Sequence, residues 1–311
     1  RPMTPNATPA LRAPVRLPGR PRGPARHRDS LLALVLVAAS ALVSLAYLWL
    51  ACPLNLAADE AHYWDWSRQL DWSYYSKGPL IAWLIRGSTE VLGPLSVRLT
   101  GDLGAAVRTP AVACHAALLA GWYVLAAGVF RSPRVGLVVV GVGLSLPVVR
   151  AGAIIMTIDP PFLACWCWAL VCVWKALDRG GLGWWAGTAA LTAVGVLAKY
   201  TMALLPAAVV GYLLFHRRAE FRRPGVWVLL AGAAIGWLPV LVWNATHGWV
   251  TFRHVGGQVG AGAATGIRWL GPVTFVGGQF GVLFGAWLVA FLAAAVRFRP
   301  SREPDPGKHL L

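Results

Sequence analysis

Acidic residues stand at the polar breaks of an otherwise apolar chain. Asp59 and Glu60 are adjacent carboxylates just after a long apolar segment, and Asp159 precedes two prolines between two further apolar segments. Carboxylates in such places can accept the proton of an attacking hydroxyl. Structural alternatives stay open, because Asp59 and Glu60 could be first-turn acids of a helix and Asp159 could be a helix N-cap.

Three basic residues are candidates for binding a phosphate: Lys77, Lys199 and Arg150. Lys199 separates two apolar segments, where an ionisable side chain is costly and therefore suggests a function. The alternative is a helix connector whose ammonium group reaches water. Lysine offers a point charge and arginine a two-pronged donor to phosphate oxygens. Carboxylates together with these cations favour the transfer of a group away from a lipid-linked phosphate.

The composition indicates that these groups lie in a membrane protein. Of 311 residues, 57% are hydrophobic and 13% are charged, the mean hydropathy is +0.59 and the formal net charge is +16. Soluble domains are about 45–50% apolar and about 25% charged. The sequence therefore excludes a soluble globular protein, a disordered tail and a nucleic-acid partner. The five cysteines lie in or beside apolar segments without a CxxC pair, so we interpret them as small buried hydrophobes.

Eight apolar segments predict an all-α integral membrane protein with about eight transmembrane helices, since ~20 apolar residues cross a bilayer. Residues 1–30 are predicted to form a disordered basic arm and residues 31–297 the transmembrane module. Residues 298–311 form a polar tail at which we expect the sequence to be cut short. The apolar segments are 31–52, 107–130, 135–149, 161–174, 182–197, 201–215, 226–243 and 270–296.

The distribution of Lys and Arg predicts the orientation. If the segments alternate, most of the 28 basic residues fall on the side of Arg1, which the positive-inside rule assigns to the cytoplasm. The long loop 53–106 is then on the outer face, and its Trp- and Tyr-rich stretches predict amphipathic helices at the membrane surface. Asp59, Asp159 and Lys199 fall on the same outer face. We expect a multi-pass protein of the cell membrane with its active site outside.

Two stretches of the outer loop carry a family resemblance. Residues 59–68 (DEAHYWDWSR) and 71–84 (DWSYYSKGPLIAWL) resemble the first outer loop of glycosyltransferase family 39 and of aminoarabinose-transferase-like proteins. These are integral-membrane enzymes with the GT-C fold. The resemblance continues through residues 106–111, 156–160, 197–200 and 242–249.

The resemblance implies a glycosyltransferase. Its donor would be a hexose or pentose on a polyprenyl phosphate, and its acceptor a hydroxyl of a lipid, glycan or protein, attacked with inversion. Asp59 would be the catalytic carboxylate, with Glu60 beside it and Asp159 as the second acidic position. Lys77, Lys199 and Arg150 would contact the donor phosphate. We assign substrate binding to His62, Tyr63, Tyr74 and Tyr75.

The sequence also departs from the family pattern. Lys77 is followed by Gly78 where the family often has proline, which would loosen the backbone. Ser76 stands where some members have an acidic metal ligand, so we expect no cofactor and no tightly held metal. Asp59 and His62, one helical turn apart, would be the residues for weak ligation of a divalent metal.

Two other classes of protein stay open from the sequence. A lipid or sugar transporter, or a flippase, would use the charged residues to line a path across the membrane. Transporters usually carry such charges near the midplane, whereas here the acids cluster on one face. A non-catalytic membrane subunit is the second alternative.

Overall fold

The computed structural model describes residues 24–258, 270–282 and 285–297, and all regular structure in these ranges is helical. Short 3₁₀ turns at Tyr200–Ala203 and Arg218–Arg222 flank α9. The helices are α1 (Pro24–Leu50), α2 (Ala58–Arg68), α3 (Leu80–Thr100), α4 (Gly104–Val129), α5 (Pro133–Ser145), α6 (Pro147–Ala151), α7 (Asp159–Arg179), α8 (Leu182–Ala198), α9 (Leu204–His216), α10 (Pro224–Thr246), α11 (Val250–Gln258), α12 (Gly271–Val282) and α13 (Ala286–Arg297).

Four described helices are long and apolar enough to cross a bilayer: α1, α4, α7 and α10. The pair α12 and α13 would be a fifth if its two helices, bent by 111°, form one broken span. Helices α5, α8 and α9 are apolar but shorter. Together these elements coincide with the apolar segments predicted from the sequence, and the all-α membrane fold is confirmed.

Two boundaries differ from the prediction, at the start of α1 and within the segment 135–149. Helix α1 begins at Pro24, inside the predicted arm, because proline suits the first turn of a helix; residues 1–23 and 298–311 lie outside the described ranges. The apolar segment 135–149 is broken at Leu146, which takes an extended conformation between α5 and α6. Helix α3 continues through Pro94 and ends where Gly101 takes φ 85° and its N–H bonds to the Val97 carbonyl.

Small residues hold the central helices together. Helix α4 packs on α7, α7 on α8, and α8 on α10, while α1 and α5 lie against α4. A methyl group at Gly232 or Gly236 of α10 would come within 2.6 Å of Ala189 or Ala193 of α8. Small residues four positions apart on both helices let two backbones approach closely, as is common in membrane bundles.

Candidate active site

The Glu60 carboxylate fastens the N-terminus of α2 to the bundle. Its side chain is 0% exposed, and Oε1 accepts hydrogen bonds from Arg108 Nε and the Met156 N–H, both at 2.9 Å. Oε2 accepts from Arg108 Nη2 at 2.8 Å and from the Ala57 N–H at 3.0 Å. With four donors on two buried oxygens, Glu60 has no free lone pair for a substrate proton. Its predicted catalytic role is therefore corrected to a structural one.

Arg108 is the partner that sequence reasoning did not select. Its guanidinium also donates to the carbonyls of Leu54, at 2.9 Å, and Asn55, at 2.8 Å. A third contact is the Cys52 sulfur at 3.3 Å. Arg108 thus fixes the whole turn between α1 and α2. An arginine near the start of an apolar helix is the sequence signal that could have identified it.

The Glu60 bonds bring two other acids to one end of the bundle. Asp59 precedes Glu60, and the Met156 N–H held by Glu60 lies three residues before Asp159. Asp59 is exposed and has no hydrogen bond or ion pair within the described part of the chain. Burial, followed by the nearby charges of Asp59 and Asp159, raises the pKa of the Tyr63 hydroxyl to about 12. Tyr63 therefore stays protonated at neutral pH, and its hydroxyl can donate a hydrogen bond as well as accept one.

Asp159 forms an ion pair with Lys199. Lys199 Nζ lies 2.6 Å from Asp159 Oδ1, and the side chains are 33% and 51% exposed. The ammonium group also lies 5.6 Å from the centroid of the Phe162 ring. The N-cap of α7 is Ile158, so Asp159 is the first helical residue and its side chain does not cap the helix. The N-cap alternative is therefore wrong, and the carboxylate is directed to Lys199.

The two adjacent tyrosines of the loop between α2 and α3 differ in accessibility. Tyr74 is buried, stacks on Trp66 at 4.4 Å, and its hydroxyl lies 3.0 Å from the carbonyls of both Trp66 and Gln69. Its assignment to substrate binding is therefore corrected to a structural role. Tyr75 is 43% exposed and makes edge contacts with His62 and His254 at 5.7 and 5.2 Å. It remains accessible to a substrate.

The His62 ring, which lies beside Tyr75, has a ring nitrogen without a hydrogen-bond partner among the described residues. Its Nε2 is buried and has no hydrogen-bond partner among the described residues, and its ring lies 4.4 Å from the Trp66 ring. A buried ring nitrogen without a partner is uncommon in proteins. His62 therefore keeps a hydrogen-bonding position that a substrate could fill. The described residues contain no group of three or more His, Cys, Asp or Glu side chains that could hold a metal, so the pair Asp59 and His62 has no third protein ligand there.

Side-chain bonds hold the same loop to distant helices. Trp243 Nε1 donates to Asp71 Oδ2 at 2.7 Å, and the Thr251 hydroxyl donates to the Tyr74 carbonyl at 2.9 Å. The hydroxyls of Ser73 and Tyr200 lie 3.3 Å apart. Tyr200 follows Lys199 directly, so the loop is held beside the Asp159–Lys199 pair.

Gly78, which follows Lys77 directly, brings the backbone of the loop against the end of α8. A Cβ atom on Gly78 would lie 2.2 Å from the Leu197 carbonyl oxygen, so the loop backbone touches the C-terminal turn of α8. Only glycine permits this approach. Rather than loosening the backbone, the glycine allows tight packing two residues before Lys199. Lys77 is half-buried and has no side-chain partner within the described ranges.

Arg150 is not joined to the other candidates. Its Nη1 donates to the Ser40 hydroxyl of α1, and none of its described hydrogen bonds reaches another predicted site residue. Its assignment to the donor phosphate therefore gains no support from the structure. The site brought together at one end of the bundle consists of Asp59, Asp159, Lys199 and the loop that carries Lys77 and Tyr75.

Comparison with known proteins agrees with this arrangement. Residues 76–243 match the model of the dolichyl-phosphate-mannose-protein mannosyltransferase family. The chain belongs to this family. The matched range includes Lys77, Asp159 and Lys199 and begins after Asp59. The resemblance to GT-C glycosyltransferases is confirmed.

Two individual proteins are similar to this family member. It is 30% identical over 274 residues to the lipid A galacturonosyltransferase RgtD of Rhizobium johnstonii. This alignment covers 85% of this chain and 55% of RgtD. Its fold resembles the crystal structure of ArnT from Cupriavidus metallidurans in the apo state, with a TM-score of 0.55 and 18% identity. That match covers 89% of this chain and 56% of ArnT. The chain thus spans about half the length of each relative.

Proposed function

We propose that this protein transfers a sugar from a polyprenyl-phosphate donor to a hydroxyl group of a glycolipid. The donor class is supported by the family description, which names a dolichyl-phosphate sugar. The acceptor class is supported by the similarity to a galacturonosyltransferase of lipid A. The transferred sugar is a hexose or a pentose.

The observation that carries this proposal is the Asp159–Lys199 ion pair beside an exposed, unpaired Asp59. Transfer needs a carboxylate for the acceptor proton and a cation for the leaving phosphate, and both kinds of group meet at one end of the bundle. A cation placed where negative charge develops lowers the barrier of such a reaction.

The reaction is a single displacement with inversion. The acceptor oxygen attacks the anomeric carbon, and the bond between that carbon and the phosphate oxygen breaks. Its electron pair leaves with the polyprenyl phosphate, beside Lys199 and Lys77, while Asp59 takes the proton of the attacking hydroxyl. The Tyr63 hydroxyl, which stays protonated at neutral pH, donates a hydrogen bond to the substrate.

The remaining candidate residues take supporting roles in this proposal. Asp159 holds the Lys199 ammonium until donor phosphate replaces the carboxylate. His62 and Tyr75 contact the sugar or the acceptor, since a ring nitrogen without a partner and an exposed hydroxyl lie together there. Glu60 and Arg108 act through Asp59 as positioning residues.

The site is proposed to face outward from the cell membrane, with the N-terminus in the cytoplasm. The opposite end of the bundle carries the basic 3₁₀ turn Arg218–Arg222 and its neighbours, which the positive-inside rule places in the cytoplasm. A donor with its sugar on the outer leaflet would then reach Asp59 directly.

The test uses membranes that contain the protein, a polyprenyl-phosphate sugar and lipid A. We expect Asp59→Asn and Lys199→Ala to reduce transfer at least a hundredfold, because proton transfer contributes about 10²–10⁴ and stabilisation of the developing charge about 10²–10³. Asp178→Asn and Lys175→Ala change the same residue types at the other end of α7 and should leave transfer unchanged. Undiminished transfer by Asp59→Asn would contradict the site. Movement of lipid A across the bilayer without donor would instead favour the transporter alternative.

A further inference from the structure

The turn between α9 and α10 is a basic surface at the end of the bundle opposite the proposed site. Residues 217–223 contain four arginines and one acid, Glu220. The Glu220 carboxylate is already paired, since Arg223 Nη1 lies 3.1 Å from its Oε1, and the glutamate side chain is 14% exposed. The neighbouring end of α7 contributes Asp178 and Arg179, which are both exposed and opposite in charge. The turn therefore keeps a net charge of +3 with no acid of its own left to balance it.

Hydrogen bonds to backbone carbonyls fix the position of this turn. Arg217 Nη1 donates to the Leu177 carbonyl in the last turn of α7 at 3.2 Å. Trp227 Nε1, in the first turn of α10, donates to the Phe221 carbonyl at 3.1 Å. The turn is thus held to both α7 and α10, so its exposed side chains start from a fixed backbone.

Two arginines of the turn have guanidinium nitrogens left for a ligand. Arg218 uses its Nε, which donates to the Leu214 carbonyl at 2.7 Å, so its two terminal nitrogens remain. Arg222 is exposed and forms no hydrogen bond or ion pair within the described part of the chain. A guanidinium group binds phosphate oxygens through two parallel N–H groups. Arg218 and Arg222 therefore offer a phosphate several donors, and no acid of the turn competes for them.

Exposed aromatic rings beside the turn indicate its depth in the membrane. Phe215 ends the apolar part of α9 and is 81% exposed, and Trp227 of α10 is 59% exposed. Exposed rings at the ends of membrane helices lie at the boundary between acyl chains and headgroups. Arginine side chains next to that boundary extend their stems along apolar surface and place the charge among the headgroups. Arg218 and Arg222 are therefore at the level of lipid phosphates.

We propose that the turn Arg218–Arg222 binds an anionic phospholipid, with the lipid phosphate on Arg218 and Arg222 and the acyl chains along Phe215 and Trp227. A zwitterionic lipid fits this surface less well, because its ammonium group would meet a net positive charge and no unpaired acid of the turn. The positive-inside rule concerns only the side of the membrane on which the turn lies, whereas this inference assigns it a ligand. It goes beyond the proposed function and does not depend on it, since the turn lies at the other end of the bundle.

Binding can be measured without donor, acceptor or turnover, on the purified protein in an uncharged detergent. The thermal unfolding midpoint would be followed while dioctanoyl phosphatidylglycerol, dioctanoyl phosphatidylcholine or glycerol 3-phosphate is added, because a ligand of the folded state raises it. We expect the anionic lipid to bind at least tenfold more tightly than either of the others. The double variant Arg218→Ala with Arg222→Ala should weaken its binding at least tenfold, since each arginine at an anionic surface contributes about fivefold.

A matched control separates this site from the overall charge of the protein. Arg98→Ala with Arg134→Ala removes two exposed arginines of α3 and α5, outside the turn, and should bind phosphatidylglycerol like the unchanged protein. If the double variant of the turn does not fold, Arg222→Glu changes a side chain without a described partner, and it should also weaken the anionic lipid at least tenfold.

Each possible result decides a part of the inference. Unchanged affinity of the turn variants for phosphatidylglycerol overturns the site. Phosphatidylcholine that binds as tightly as phosphatidylglycerol overturns the requirement for an anionic lipid. Glycerol 3-phosphate that binds as tightly overturns the assignment to a lipid, because the acyl chains would then contribute nothing. An equal loss in the Arg98→Ala with Arg134→Ala variant would show that net charge, not this turn, attracts the lipid.

Discussion

Lys199 and Asp159 are forty residues apart in the sequence, yet their charged atoms are 2.6 Å apart. Asp159 begins α7 and Lys199 directly follows α8, so antiparallel packing of these helices brings the two residues together. Both side chains are a third or more exposed, and ion pairs of that kind contribute at most about 1 kcal/mol to stability. The pair can therefore open at little cost when a phosphate competes for the ammonium group.

Replacing Lys199 should affect donor binding more than folding. For Lys199→Ala we expect the KM for the polyprenyl-phosphate sugar to rise at least tenfold, because the phosphate loses a cation. The unfolding free energy should change by about 1 kcal/mol or less. Lys199→Arg should restore part of the donor affinity. Steady-state kinetics would measure the KM for the donor, and thermal unfolding in detergent would measure the stability. Lys175→Ala is the control for both measurements. A large loss of stability with an unchanged KM would assign Lys199 a structural role.

Glu60 and Arg108 should behave in the opposite way. Because both are buried, removing either leaves an uncompensated charge, and we expect Glu60→Ala or Arg108→Ala to cost about 3–5 kcal/mol of unfolding free energy. The double variant should cost less than the sum of the two single changes. Chemical unfolding in detergent micelles would measure the cycle. Asp59→Asn, at an exposed neighbouring acid, is the control with little effect on stability. Additive costs would show that the two residues act independently.

The difference between Asp59 and Glu60 shows where sequence reasoning ends. Adjacent acids after an apolar helix predicted an acidic site, and the structure brings Asp59 and Asp159 to the same end of the bundle. Which acid is free depends on Arg108, which comes from another helix, and on a backbone N–H at Met156. Such long-range partners leave no local pattern. The same limit applies to Tyr74 and Tyr75, adjacent in sequence but buried and exposed, respectively.

The fold was more accessible to prediction than the contacts. The length of the apolar segments predicted the membrane helices, since the number of residues that cross a bilayer follows from its thickness. The pairing of Asp159 with Lys199 required the packing of α7 on α8, which hydropathy does not determine. The close approach of Gly78 to Leu197 likewise depends on tertiary packing. The sequence comparison with the family had suggested the opposite, a loosened backbone at Gly78.

Gly78→Ala should displace the loop that carries Lys77. The added methyl group would lie 2.2 Å from the Leu197 carbonyl oxygen, so either the loop or the end of α8 must move. We expect lower stability together with a higher KM for the donor. Gly87→Ala is the matched control, since nothing lies within 4 Å of its added methyl group, and alanine favours the helix by about 0.5–1 kcal/mol. Normal kinetics for Gly78→Ala would show that loop placement is unimportant for donor binding.

The two tyrosines of this loop offer a paired test. Tyr74→Phe removes a buried hydroxyl that contacts two carbonyls and the Asp71 N–H, so we expect a loss of about 1–3 kcal/mol in stability. Tyr75→Phe removes an exposed hydroxyl, and its stability should be unchanged while transfer falls. Thermal unfolding and transfer rates measured on the same preparations separate the two effects. A stable Tyr74→Phe variant with a raised KM would return Tyr74 to the substrate-binding residues.

Single cysteines can establish which end of the bundle faces outward. Asn55→Cys lies in the exposed turn after α1, and Ala219→Cys lies in the exposed 3₁₀ turn between α9 and α10. The arginines that surround Ala219 favour the cytoplasm. An impermeant maleimide added to intact cells should therefore label the Asn55→Cys variant more strongly than the unchanged protein. It should label the Ala219→Cys variant only after the membrane is permeabilised. The unchanged protein is the baseline because Cys52 is partly exposed near Asn55. Labelling of the Ala219→Cys variant from outside would show that the topology is the reverse of the proposed one, with Asp59 and Lys199 on the cytoplasmic face.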